Sequence, residues 1–447
     1  MLAIIVGAGE VGFQIAKFLM IEAIEVVVID RDSKKLERVA EDLDVATIEA
    51  DGASPSVMKE AGAENADILL AVTDSDETNM ITCLVAKAMF DIPRKIARIR
   101  NPEYYRNQAL LSPENLDINP AISPEYEVAR AIIRLIETPF AIDVEEFEDG
   151  LVKVIGHKVG EGSALAGKKL SRLTASTDQK RFLIGIIDRT ETTIIPTGED
   201  RIKEGDVIYM PVKKWEVGDA LSFLGVTSKP ARKLMIVGGG RIGHYIASAL
   251  EDRASVKIIE RDFARSKYLS KTLSKCTVLN GDGSDQNLLV EENVADMDVF
   301  AAVTNNEELN IMASLLAKRL GARKTVTLVN RTDYVSLALG LGLEAVLSPR
   351  LITASSILKY IRRGDILSLT AVAEERAEVL EARIGAGSSL IGKSLAEAKL
   401  PKSSLIGSIM RGDKIIIPSG NDVIEEGDRV IIFTLRKSIK DVEKLLV

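Results

Sequence analysis

The chain has 447 residues, of which 46% are apolar, 28% charged and 4% aromatic, with a formal net charge of −8. That length exceeds what one core serves, because cores stop growing at roughly 250–300 residues. The acidic balance argues against a nucleic-acid surface, which normally shows as a basic domain. A single tryptophan, Trp215, leaves little for stacking bases.

Two cysteines and two histidines are too few for a metal cage or a disulfide framework. Cys83 and Cys276 read as reduced core residues, and no metal site is expected. No stretch reaches the ~18 uninterrupted apolar residues of a spanning helix. The opening residues run into a glycine motif without a basic segment ahead of them, so no signal peptide is expected. The expectation is a cytoplasmic protein.

Residues 2–6 form an apolar run ending at glycines, which predicts a strand buried on both faces. Residues 11–20 then carry helical spacing through Val11, Ile15, Phe18 and Leu19. Further strands are expected over 25–29, 45–48, 68–72 and 96–99, with a charged amphipathic helix over 33–41. Strands alternating with helices predict a parallel, doubly wound sheet with ligands at the strands' carboxyl ends. A helix over 124–137, stopped near Pro139, reads as a spacer or a hinge. Short β-branched runs at 184–187, 193–195 and 207–210, broken by Gly, Pro and Asp, predict a small α+β domain.

The whole pattern then returns. Gly7-Ala8-Gly9-Glu10-Val11-Gly12 recurs as Gly238-Gly239-Gly240-Arg241-Ile242-Gly243 at an offset of 231. Asp30-Arg31-Asp32 recurs as Glu260-Arg261-Asp262, Asp51-Gly52 as Asp282-Gly283, Thr73-Asp74 as Thr304-Asn305, and Ser123-Pro124-Glu125 as Ser348-Pro349-Arg350. Val159-Gly160-Glu161-Gly162-Ser163 matches Ile384-Gly385-Ala386-Gly387-Ser388, and Glu204-Gly205-Asp206 matches Glu426-Gly427-Asp428. Offsets falling from 231 to 222 fit loop deletions inside a duplicated unit. The expected organisation is a Rossmann-like domain at 1–122, a linking helix at 123–140, and an α+β domain at 141–225. The second set is a Rossmann-like domain at 232–347, a helix at 348–363 and an α+β domain at 364–447.

In such a βαβ unit Gly7 permits the tight turn, Gly9 lets the backbone approach a pyrophosphate, and Gly12 lets helix and strand pack closely. Asp30, at the end of the second strand with Arg31 beside it, can accept bonds from ribose hydroxyls. A tight turn without a ligand is the alternative. Asp51-Gly52 is either an adenine-side contact or a simple turn. Thr73-Asp74 caps the helix starting near Asp76 and lines the pocket floor. Arg98 and Arg100, two apart, face one side and suit either phosphate or surface ion pairs.

The second set comprises Gly238, Gly239, Gly240, Arg241, Ile242 and Gly243 with Glu260, Asp282 and Thr304. It departs from the first: Thr327 and Val329 stand in place of Arg98 and Arg100, and Arg241 in place of Glu10. The second pocket therefore binds the same nucleotide more weakly, another nucleotide, or none.

No catalytic residue is expected. His157 reads as a surface residue, and His244 as packing or touching phosphate. A dehydrogenase, the alternative reading, needs a proton donor beside the nicotinamide. The extra length is instead a second copy, which favours sensing over chemistry.

The order of units, the GAGEVG loop with Asp30, Thr73-Asp74 and Arg98, and the doubled glycine patterns of the smaller domains resemble the TrkA family. These are peripheral regulatory subunits of Trk/Ktr potassium-uptake systems, built from tandem RCK (regulator of K⁺ conductance) domains. The resemblance covers essentially the whole chain. It implies binding of NAD(H) or of ATP or ADP, and assembly into a homo-oligomeric ring, a tetramer. It also implies docking at the inner face of the cell membrane on a membrane-embedded potassium-translocating subunit. A scaffold for a different membrane protein is the remaining rival.

Overall fold

Leu-Ala-Ile-Ile-Val at 2–6 has no polar face, and in the computed structural model it is the centre of a sheet covered on both sides. The structure describes residues 1–173, 182–189, 192–358, 360, 365–373 and 376–446. They form two compact units, one of 1–128 with 348–357, the other of 129–347 with 358–447.

The first half contains β1 (Leu2–Val6), α1 (Glu10–Ile21), β2 (Glu25–Asp30), α2 (Ser33–Asp42), β3 (Ala46–Glu49), α3 (Pro55–Glu60), β4 (Ile68–Ala71) and α4 (Asp76–Val85). It continues through β5 (Arg94–Arg98), α5 (Pro102–Tyr105), α6 (Gln108–Leu111), β6 (Ala121–Ile122) and α7 (Pro124–Glu137). Then come β7 (Asp143–Phe147), β8 (Val152–Lys158), α8 (Leu170–Leu173), β9 (Ile186–Asp188), β10 (Thr193–Ile194), β11 (Val207–Lys213) and α9 (Val217–Leu224).

The second half repeats this with β12 (Lys233–Val237), α10 (Arg241–Leu250), β13 (Ser255–Glu260), α11 (Phe263–Thr272), β14 (Thr277–Asn280), α12 (Gln286–Glu291), β15 (Val299–Ala302) and α13 (Glu307–Arg319). β16 (Thr325–Leu328), α14 (Thr332–Gly340), β17 (Ala345–Leu347) and α15 (Pro349–Leu358) follow. The chain closes with β18 (Asp365–Val372), β19 (Ala377–Arg383), β20 (Ser404–Arg411), β21 (Lys414–Ile416), β22 (Arg429–Leu435) and α16 (Ile439–Leu446).

The first sheet is ordered β3-β2-β1-β4-β5-β6 and the third β14-β13-β12-β15-β16-β17, all strands parallel. This is the doubly wound order, in which the direction reverses between β1 and β4 and leaves a crevice at their carboxyl ends. The remaining sheets, β10-β9-β11-β8-β7 and β18-β19-β22-β20-β21, are antiparallel. Two Rossmann-like sheets, each followed by a small α+β domain, are thus the architecture.

Two expectations are corrected. Each parallel sheet has a sixth edge strand, β6 and β17, too short for a periodicity to register. The first smaller domain is built on the longer strands β8 and β11, paired over seven residues. α15 is described over Pro349–Leu358, and the rest of the expected helix, together with the expected boundary at 363–364, lies outside the described residues. α7 spans 124–137 as expected, with Val128, Ile132, Leu135 and Ile136 buried at helical spacing.

In the larger unit the two antiparallel sheets share one apolar core. Phe147, Val152, Ile186 and Tyr209 of the first pack with Val372, Val379, Ile431 and Phe433 of the second. Among the described residues no helix is long and apolar enough to cross a membrane.

Candidate functional site

The glycine loop between β1 and α1 is shaped by contacts that only glycine permits. Gly7 has φ +115°, and a Cβ there would meet Val72 and the Thr73 amide at 2.9 Å. A Cβ on Gly12 would overlap the Gly7 carbonyl oxygen, so α1 could not approach β1. Gly9 differs, because a Cβ there meets nothing within 4 Å. Gly9 is the residue immediately before α1, whose first-turn amides have no intrahelical acceptor and carry the positive end of the helix dipole. Shape and charge fit a pyrophosphate.

Asp30 closes the loop from β2. Its Oδ2 accepts from the Ala8 amide at 2.6 Å and its Oδ1 from the Asp32 amide at 2.9 Å. Each oxygen keeps a second lone pair, which leaves acceptors for ribose hydroxyls. The second copy repeats this with Glu260, whose Oε2 accepts from Gly239 at 2.7 Å and whose Oε1 accepts from Asp262 at 2.8 Å.

Asp51 makes a local turn, accepting from the Ala53 amide at 3.1 Å, and pairs with Arg31. The Ala53 bond and the Arg31 guanidinium hold its carboxyl below the usual range against some burial. Gly52 is a packing residue, since a Cβ would overlap Val6. Asp282 likewise turns onto Ser284, whose hydroxyl and amide lower its pKa.

Thr73-Asp74 does not cap α4. The cap is Ser75, whose hydroxyl accepts from the Thr78 amide at 3.1 Å, because Thr73 is engaged elsewhere. Asn79, fully buried, takes the Thr73 amide at 2.9 Å and hydroxyl at 2.7 Å on its Oδ1. Its Nδ2 donates to the carbonyls of Thr73 at 3.2 Å and Arg98 at 2.8 Å, tying the ends of β4 and β5 together. Asp76 accepts from the Arg100 and Asn101 amides at 3.0 and 2.7 Å. Sequence reasoning passed over both residues. The signal was there: Asn310 makes the same bonds to Thr304 and Leu328, and Glu307 those to Asn330 and Arg331, at the repeat offset.

Arg98 and Arg100 do lie together, and both reach Asp74, at 3.2 and 2.8 Å. Arg98 also stands 3.9 Å from Glu125. Burial, and Arg100 beside it, push the Arg98 pKa down. In the second copy Thr327 and Val329 are buried, and Thr327 donates to the Ser314 hydroxyl at 2.8 Å. Arg265 donates instead to the Gly239 carbonyl at 2.7 Å and stacks on Tyr268, against which His244 packs edge-on.

Glu10 carries an ion pair with Arg38 at 2.6 Å, and Arg38 lies over the Phe13 ring. Arg241, its counterpart, is exposed. Val11 and Ile242 are half-buried in the first turns of α1 and α10. His157 is buried, not a surface residue, with Nδ1 2.9 Å from the Phe140 carbonyl. Cys83 is a core thiol pushed up to about 12 by burial, whereas Cys276 is only half-buried, its Sγ 3.7 Å from Glu251.

Two parallel sheets, each with a glycine loop at its crevice and a carboxylate closing it, define a tandem protein of the dinucleotide-binding class. Residues 3–124 and 234–349 match the family model of the TrkA-N domain, and 154–225 and 379–447 that of the TrkA-C domain. The chain belongs to the TrkA family. It is 38% identical to the Trk system potassium uptake protein TrkA of Halomonas elongata, over 99% of this chain and 98% of that one. It is 37% identical to the TrkA of Azorhizobium caulinodans, over 100% and 98%. With TrkA homolog 1 of Methanosarcina mazei the identity is 36%, over 99% of each. Among solved structures, the GsuK channel superposes with TM-score 0.64 at 18% identity, covering 99% of this chain and 78% of that one. The GsuK channel bound to NAD gives 0.63 at 18% identity over the same shares. At that identity the likeness is one of fold.

Proposed function

We propose that this chain is a nucleotide-sensing regulatory subunit of a potassium transport system. NAD(H), or an adenine nucleotide, binds at the first glycine loop: pyrophosphate over Gly9 and the first turn of α1, ribose on Asp30. The observation that carries this is the Ala8–Asp30 closure beside the open face of Gly9, in a chain related along its whole length to potassium uptake proteins. The second loop offers the same closure through Glu260, with Thr327 and Val329 where the first has Arg98 and Arg100, and with Arg265 donating to the Gly239 carbonyl. In NAD(H) the nicotinamide would bring redox chemistry, but the chain binds the nucleotide without turning it over.

A bound nucleotide shifts a two-state assembly only through different affinities for its two conformations. The homo-oligomer, a tetrameric ring, is supported by apolar side chains left in water along α4 and the turn after it, namely Ile81, Leu84 and Met89, 37–60% exposed. Met312, Leu337 and Leu341 continue the theme in the second copy. The ring sits on the inner membrane face by holding a membrane-embedded potassium translocator.

Calorimetry with NAD⁺, NADH, ATP and ADP tests the ligand, and rubidium flux through the reconstituted translocator, with and without the chain, tests the partner. Binding without turnover of NADH, and flux that depends on nucleotide, are expected. Silence toward all four nucleotides, or steady oxidation of NADH with keto or imino acids, defeats the reading.

A further inference from the structure

Position 10 of the first glycine loop sits one residue inside α1, where a bound anion is felt most. Its carboxylate is flanked by two guanidinium groups. One is Arg38 of α2. The other is Arg350, from the second residue of α15, some 340 positions away in sequence: Nη1 of Arg350 lies 2.9 Å from Oε2 of Glu10. That oxygen is shielded from solvent, and the contact is an ion pair without the alignment of a hydrogen bond. Arg350 is 17% exposed. Residues 348–357 pack with 1–128, so α15 belongs to the compact unit of the first pocket although it follows the second Rossmann-like sheet in sequence.

The duplication supplies an internal comparison. The positions matching Glu10 and Arg350 are Arg241 in the second copy and Glu125 in the first, so between the copies both signs are reversed together. Independent surface substitutions have no reason to reverse as a pair. Within each repeat the two positions carry one sign, Glu10 with Glu125 and Arg241 with Arg350, so opposite charges meet only across repeats, as Glu10 and Arg350 do.

We propose that Arg350 is the residue through which the first nucleotide pocket holds α15. The inference rests on the reading of that pocket as a nucleotide site. Glu10 with Arg38 is neutral, and Arg350 brings that cluster of three to a net charge of plus one. A pyrophosphate at the first turn of α1 adds negative charge within a Debye length of that guanidinium. Arg350 is then held by two anions rather than one, and α15 docks more firmly. Reciprocity requires that docked α15 strengthens nucleotide binding by the same factor. The helix that leads into the second α+β domain thereby reports whether the first pocket is filled.

The test is hydrogen exchange of residues 349–357 in the full-length protein, with binding of NADH and ATP followed in parallel by calorimetry. Saturating nucleotide should slow exchange in α15 about threefold or more, a modest coupling. Arg350→Gln should remove that increment and weaken nucleotide binding by a comparable factor. The double variant Glu10→Arg/Arg350→Glu should recover the protection seen without ligand. It should gain nothing from nucleotide, because the side chain on α15 now repels phosphate. Binding without any change at α15, or the full increment persisting in Arg350→Gln or in the reversed pair, overturns the proposal. Absence of binding by wild-type protein overturns the pocket reading itself, so the two failures are distinguishable.

Discussion

The Ala8 amide donates to Oδ2 of Asp30 at 2.6 Å, which fastens the glycine loop to the end of the neighbouring strand. One carboxylate therefore has two tasks, fixing the loop and presenting lone pairs to a ribose. Its counterpart, Glu260 with Gly239, repeats the arrangement with a side chain one methylene longer.

Asp30→Ala should weaken NADH binding at the first pocket by about 1–3 kcal/mol, the range for loss of charge-assisted bonds. Calorimetry reads this, with circular dichroism to check the fold. Unchanged affinity in folded protein means that Asp30 is not the ribose acceptor.

Gly9→Asp and Gly240→Asp should rank the two pockets, since each places bulk and negative charge in the space open to phosphate. Arg98 and Arg100 are held by Asp74, whose side chain is 79% exposed. Such a pair contributes only about 0–1 kcal/mol, so exchange of Asp74 for a phosphate costs little. The first site should bind at least about tenfold more tightly, each 1.4 kcal/mol being tenfold. Titration should lose its tighter phase in Gly9→Asp, and the reverse assignment refutes the ranking.

Glu148 is fully buried, near Glu381 and accepting from Ser408 at 3.3 Å. Burial first, and then the Glu381 charge, raise its pKa from 4.5 to about 7. The folded state therefore holds a proton that the unfolded chain releases. This favours folding below pH 4.5 and is lost as pH rises to about 7. Glu148→Gln should raise the melting temperature at pH 8 and flatten its decline between pH 5 and 7. A melting profile parallel to wild type across that range contradicts the assignment.

Lys324 is buried, and its ammonium donates to the carbonyls of Leu135, Thr138 and Ala141 at 2.9, 3.4 and 2.6 Å, closing the carboxyl end of α7. Lys324→Met keeps the volume and leaves those acceptors unmet, at about 1–3 kcal/mol. Hydrogen exchange over residues 130–141 should report an opening free energy lower by that amount. Equal protection denies Lys324 this role.

Ile81 is 49% exposed on α4. If that face joins copies of the chain, Ile81→Asp should shift the assembly to smaller species in mass photometry without altering the far-ultraviolet spectrum. Retention of the wild-type mass places the contact elsewhere.

What could be read from residues alone was local or repeated. A strand without a polar face, three glycines with fixed steric duties and an acid about twenty positions later are set by short-range geometry, so β1, α1 and Asp30 lay close to where periodicity put them. The duplication fixed the order of the four sheets for the same reason, because a pattern seen twice is hard to mistake. Tertiary packing decided the rest. Asn79 and Asp76 hold backbone groups at and just beyond the end of β5, and although the repeat offset marks their positions, only the fold shows which carbonyl and amides they meet. The edge strands β6 and β17 exist only because a neighbour offers them a ladder. His157 is buried by what folds over it, not by its own sequence. The pairing of Glu10 with Arg350 and the capping of α7 by Lys324 join residues about 340 and 190 positions apart. Their signs and types are in the sequence, but only the folded chain brings them within reach.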